Sequence, residues 1–136
     1  MSARSKARKA ALDLLYEGDI RKTAALSILS QRSEDLEYVI RDFTKELVQG
    51  VEEHRRKIDE LITTYSQGWD MDRMPVIDRN ILRLAIYELL WSKDVPMPVA
   101  VDEAIELAQT LSTDESSKYI NGVLSKIIEI KPDLVF

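Results

Sequence analysis

A chain of 136 residues with 45% hydrophobic content is long enough to bury one core and too short for two ordinary domains, so a single unit is expected. It contains no cysteine, which excludes a disulfide framework, a thiolate metal site and a cysteine nucleophile. The formal net charge is -5, yet Arg4, Lys6, Arg8 and Lys9 all precede the first acid, Asp13; this segregated positive end can attract an anion whatever the overall sign.

Apolar residues recur at spacings of three and four almost throughout, with four Gly, four Pro and no sustained alternation, which predicts an all-α fold of six or seven helices. The first helix is predicted from about Ala3 to Glu17, with Ala7, Ala10, Ala11 and Leu14 inward and Gly18 ending it. Its apolar stretch, "AALDLLY", is interrupted by Asp13 and too short for a signal-peptide core or a membrane span, so a soluble, cytoplasmic protein is expected. A short second helix covers "KTAALSILSQR". Ser33 reads as the next N-cap, with Glu34 and Asp35 complementing the helix dipole. Leu36, Ile40, Phe43, Leu47, Val51, His54, Ile58, Leu61 and Tyr65 then predict one long helix or two in line, with Gly50 marking a close crossing or a bend.

"SQGWDMDRMP" is the clearest break and divides two expected helical subdomains of about residues 1–67 and 68–136. The apolar run "VIDRNILRLAIYELLW" is dense enough to be the central helix of the second half. "SKDVPMP" ends it, and Pro98 suits the first turn of "VAVDEAIELAQTL". Ser112 and Glu115 have capping-box spacing before a last helix that Pro132 stops.

Signs of enzymatic chemistry are missing: there is no phosphate-cradling Gly loop, no G-x-S-x-G and no H-E-x-x-H. The single histidine, His54, lies on an apolar seam and reads as a partly buried structural residue. Carboxylate pairs such as Glu52 with Glu53 and Asp70 with Asp72 read as solvated faces. In "HRRK", residues 54–57, the bases are expected to pair with Glu52, Glu53, Asp59 and Glu60. Tyr38 and Tyr65 are read as packed, whereas Tyr119 follows Lys118 at the start of the last helix, where a phosphate could dock.

The basic opening carries the strongest signal. Arg4 and Arg8 lie one turn apart, Lys9 and Tyr16 share another line, and the alanine stripe stays free to face inward. Arginine forks fit phosphate oxygens and a tyrosine face can hold an unstacked base, a combination suited to single-stranded nucleic acid. The alternatives are a solvated terminus whose bases keep the chain soluble, and an anionic membrane surface, for which an alanine stripe offers little apolar area.

Over nearly its full length the chain resembles the NusB family of bacterial transcription antitermination factors, through "SKARKAALDLLY", "IDRNILRLAIYEL" and "VPMPVAVDEAIELAQTLSTDESSKYINGVLSKI" in that order and spacing. The resemblance implies a non-enzymatic, all-helical RNA-binding adaptor without cofactor or metal. It implies pairing with NusE, a small-subunit ribosomal protein, on boxA single-stranded RNA of ribosomal operons. Other Nus factors would link the pair to elongating polymerase and ribosomal RNA maturation. The family's N-terminal RNA contact falls on Arg4, Lys6 and Arg8, with Lys9 added, and its second RNA-side patch falls on Glu115, Lys118 and Tyr119. Ser5 stands where relatives can carry another base, and Lys6 replaces a possible arginine, leaving fewer bidentate phosphate contacts. The surface toward NusE maps onto Tyr16, Asp72 and Asp78, which assigns Tyr16 to the protein partner rather than to a base. Some family members form homodimers, so a homodimer is a further expectation. A helical protein-interaction adaptor without direct RNA binding is the alternative. A NusB-like domain of an RNA methyltransferase would be followed by a cofactor-binding α/β domain, which a chain of this length is not expected to include.

Overall fold

The computed structural model describes residues 2–136, and among them the regular structure is helical throughout. Seven α-helices follow in order: α1 (Ala3–Arg21), α2 (Ala25–Ser33), α3 (Asp42–Glu53), α4 (Arg55–Tyr65), α5 (Val76–Trp91), α6 (Met97–Leu111) and α7 (Asp114–Ile130). Short 3-10 turns occupy Met71–Arg73 and Lys131–Asp133.

The axis of the molecule is α5. Residues 80–89 are buried on every side, as a helix that is apolar nearly all round requires. Helices α1, α3 and α4 from the first half and α6 and α7 from the second all pack on it, and the buried side chains form one continuous cluster. The predicted central helix therefore serves both halves.

Several local expectations are corrected. Helix α1 continues past Gly18 to Arg21, and Lys22 supplies the left-handed C-cap at φ 54°. Gly18 instead admits the turn into α2, because a Cβ there would sit 2.8 Å from the Thr23 carbonyl oxygen. Ser33 ends α2, donating its hydroxyl hydrogen to the Leu29 carbonyl at 2.8 Å, so it caps no following helix. Residues 34–41 lie outside the helices, and Leu36, expected on an apolar seam, is 98% exposed. The remainder of the long predicted helix is two helices in line, interrupted at His54. Gly50 marks the expected crossing, since a Cβ there would overlap the Tyr87 ring of α5. The last helix is capped one residue later than the box predicts: the Thr113 hydroxyl accepts from the Ser116 backbone N–H at 3.0 Å.

His54 is half-buried, its ring stacked 4.0 Å from Trp91 at 10°. Of the neighbouring bases, Arg55 meets Glu52 and, across helices, Asp19, while Lys57 stands 3.9 Å from Glu60. Tyr65 is partly buried against the core; Tyr38, in contrast to expectation, is 39% exposed with Arg32 over its ring. No helix among the described residues is long and apolar enough to cross a membrane.

Candidate nucleic-acid and partner interface

Ser2 starts α1 by accepting from the Ser5 N–H at 3.0 Å, and from this cap the four bases diverge. Lys6 is exposed, and Lys9 reaches Asp13 one turn on at 2.7 Å, an exposed pair that costs little to open. Arg4 is exposed at its edge while its guanidinium lies over the Phe43 ring, 4.8 Å from the centroid.

Arg8 is different. It is 2% exposed, where the sequence reading has it on the surface one turn from Arg4. Its Nε and Nη2 donate to the two Glu88 carboxylate oxygens at 2.8 and 2.9 Å, and Glu103 stands 3.6 Å from Nη1. The bidentate fork is thus occupied by protein carboxylate and cannot meet phosphate in this arrangement. Burial would weaken the guanidinium's hold on its proton, but the hydrogen bond and charge of Glu88, with Glu103 beyond, outweigh it and raise the pKa. Ser5 joins the same cluster, donating to Glu103 Oε1 at 2.6 Å.

A shallow groove of about 150 Å³ lies between α1 and α6, with Lys9 as the one base on its wall. It is lined by Ser5 and Lys9 on one side and by Glu103, Glu106, Thr110 and Leu111 on the other. The groove reaches Leu111, the last residue of α6, and α7, which bears the second predicted patch, begins at Asp114. There Glu115 and Lys118 are exposed. Tyr119 is half-buried, edge-on to Trp69 with centroids 4.3 Å apart, and its hydroxyl donates to the Gln67 carbonyl at 2.8 Å. Burial pushes the Tyr119 pKa up, so the hydroxyl stays a neutral donor. A cleft of about 470 Å³ opens beside this pair, with Glu115 and Ser116 on its wall.

The predicted partner residues divide as well. Tyr16 is 40% exposed on α1 and Asp72 is exposed on the 3-10 turn. Asp78, expected on the same surface, is fully buried: its Oδ2 accepts from the Ser116 hydroxyl at 2.8 Å, tying α5 to the first turn of α7. Its Oδ1 has no hydrogen-bond partner among the described residues. Beneath Tyr16, Asp19 gathers Arg55, Arg79 and Arg83 at 2.9, 3.2 and 2.8 Å, together with the Asn80 amide. Burial alone would raise the Asp19 pKa; the amide bond and the guanidinium charges win and hold it well below the usual carboxylate range. Arg79 also donates to the Met71 carbonyl, so one side chain ties the turn bearing Asp72 to the helix bearing Tyr16.

Two neighbours escape the sequence reading. Trp69 sits in the least regular loop, fifty residues from Tyr119, and no spacing signals their contact. Ile20 is 55% exposed one turn beyond Tyr16; that i,i+4 pair is visible in the sequence, but its exposure is not.

Seven packed helices, the first of them opening on four bases, define an all-α helical protein. The same fold is found in NusB of T. maritima, with a TM-score of 0.82 at 34% identity over 98% of this chain and 99% of that one. It is also found in a complex described as antitermination factors NusB and NusE with double-stranded RNA, with a TM-score of 0.80 at 27% identity over 93% and 96% of the two chains. Residues 5–129 match the model of the NusB family. Relatives described as transcription antitermination protein NusB include one from Nocardioides sp. (strain ATCC BAA-499 / JS614), 52% identical over 98% of this chain and 99% of its own length. Another, from Thermobifida fusca (strain YX), is 48% identical over 97% and 93%. The chain belongs to the NusB family.

Proposed function

We propose that this protein acts as a non-enzymatic transcription antitermination factor that binds boxA-type single-stranded RNA together with NusE. Through other Nus factors the pair would sustain polymerase on ribosomal operons and assist ribosomal RNA maturation. One observation carries the RNA half: the first turns of α1 keep Arg4 and Lys6 exposed, and Lys9, held only by an exposed pair with Asp13, borders the groove against α6. A flexible single strand can follow such a track with phosphates on the bases and an unpaired base near Tyr119 and Trp69. Glu115 repels phosphate and tunes the approach rather than driving it.

The same reading gives Tyr16 and Asp72 to NusE, on a surface registered by the Asp19 and Arg79 network. Asp78, being buried, touches no partner directly and instead holds Ser116 and the first turn of α7 in place. Action on nascent RNA in bacteria places the protein in the cytoplasm. A homodimer would compete for exposed apolar groups such as Tyr16 and Ile20.

The NusE half is tested by calorimetric titration of NusE into the wild type and into Tyr16→Asp. The substitution is expected to weaken association by at least about tenfold, as placing a charge in an aromatic contact does. Undiminished affinity would remove Tyr16 from the interface.

A further inference from the structure

Helix α7 carries a glycine that neither backbone conformation nor internal packing accounts for. Gly122 lies in the middle of α7, is exposed, keeps ordinary helical backbone, and a Cβ built on it would meet nothing within 4 Å. Glycine inside a helix costs stability relative to alanine, because it surrenders more backbone freedom on folding. Neither a left-handed turn nor a close internal crossing offsets that cost here, in contrast to Gly50 under Tyr87.

The surface around it points to what approaches. Gly122 forms part of the floor of an open groove of about 460 Å³ between α4 and α7. Lys118 and Lys126 flank it at one turn on either side, Tyr65 and Tyr119 supply aromatic edges, and no carboxylate lines the groove. In a chain with 24 acids against 19 bases the groove is thus locally positive. The nearest acid to Lys126 is Glu129 at 3.6 Å, an exposed pair that salt and solvent loosen. Lys118 and Lys126 stand two turns apart, about 12 Å along the axis.

We infer that this groove extends the RNA track beyond the start of α7. In this arrangement a sugar–phosphate segment lies against the bare backbone at Gly122, with phosphates at Lys118 and Lys126. The inference rests on the RNA-binding reading above and adds Gly122 and Lys126 to it. Two cations with tyrosine edges and no acid favour a polyanion over a protein face, which would be expected to bring apolar or acid-to-base complementarity.

Gly122→Ala and Lys126→Gln are compared with the wild type in two measurements: thermal unfolding, and anisotropy titration of a labelled boxA-type single-stranded RNA, with and without NusE. In Gly122→Ala the unfolding midpoint is expected to rise by roughly 3 °C while RNA affinity falls by roughly tenfold, the order for one methyl forced into a filled contact. In Lys126→Gln the affinity is expected to fall about fourfold at 0.15 M salt and the salt slope to become shallower by about 0.7. A lowered midpoint in Gly122→Ala would make the glycine structural and overturn the inference. Wild-type RNA affinity in both variants, alongside a loss in Arg4→Ala with Lys6→Ala, would overturn this extension and leave the α1 assignment standing. Loss of NusE binding with RNA binding intact would assign the groove to protein and overturn it equally. No RNA binding by the wild type, alone or with NusE, would overturn both readings.

Discussion

Arg4 and Arg8 are one turn apart in sequence and opposite in fate. Helical spacing places them on neighbouring faces but says nothing of where Glu88 and Glu103 lie, eighty and ninety-five residues on, and only the packing of α1 on α5, with Glu103 of α6 reaching its edge, brings those carboxylates in. Arg8→Ala is therefore expected to lower stability by about 3 kcal/mol, because Glu88 is left buried and unpaired; denaturant unfolding measures it. The double substitution Arg4→Ala, Lys6→Ala is expected to leave unfolding nearly unchanged and to weaken single-stranded RNA binding by about 1 to 3 kcal/mol. Equal losses of stability in both variants would contradict the division between structural and ligand-facing bases. Asp78 teaches the same lesson: a carboxylate in the first turn of a helix is legible in sequence, whereas its burial under Ser116 is a tertiary fact.

At the scale of elements, most helices are legible because their apolar stripes repeat over several turns. Their ends are not. The Leu36 to Tyr65 pattern continues through a loop and past a break at His54, since periodicity cannot tell an exposed apolar side chain from a buried one. Asp19 shows how three helices are then locked together, with Arg55 from α4 and Arg79 and Arg83 from α5 converging on α1. Its pKa is depressed on folding, so its stabilisation is fully present above the unfolded value near about 3.9 and is lost as pH falls toward the lower folded value. Asp19→Asn is expected to destabilise at pH 7 and to approach the wild type as pH drops below about 4. A gap in unfolding midpoint that holds constant from pH 7 to pH 3 would contradict the network's role.

For the whole molecule, the break at residues 66–75 is plain in sequence, yet α5 beyond it is shared by helices from both sides. One continuous core predicts one cooperative transition, reported alike by helical circular dichroism and by the fluorescence of Trp69 and Trp91. Separated midpoints would mean that the two halves unfold independently. The charge asymmetry that opens the sequence survives in the fold as exposed bases on the first turns of α1, minus Arg8, with Lys9 beside the groove against α6. The proposed partner surface is legible through family resemblance alone, because exposed residues such as Tyr16 and Asp72 carry no periodic signature.

The most direct test titrates the protein, alone and with NusE, into a labelled boxA-type single-stranded RNA and a scrambled control at two salt concentrations. With Arg4, Lys6, Lys9 and Lys118 on phosphates, preferential binding strengthened by NusE is expected, with a slope of log K against log salt near about -3. Binding to neither RNA, with folded NusE present, would contradict RNA recognition and make this a protein-only adaptor, and equal binding to both would contradict the boxA preference.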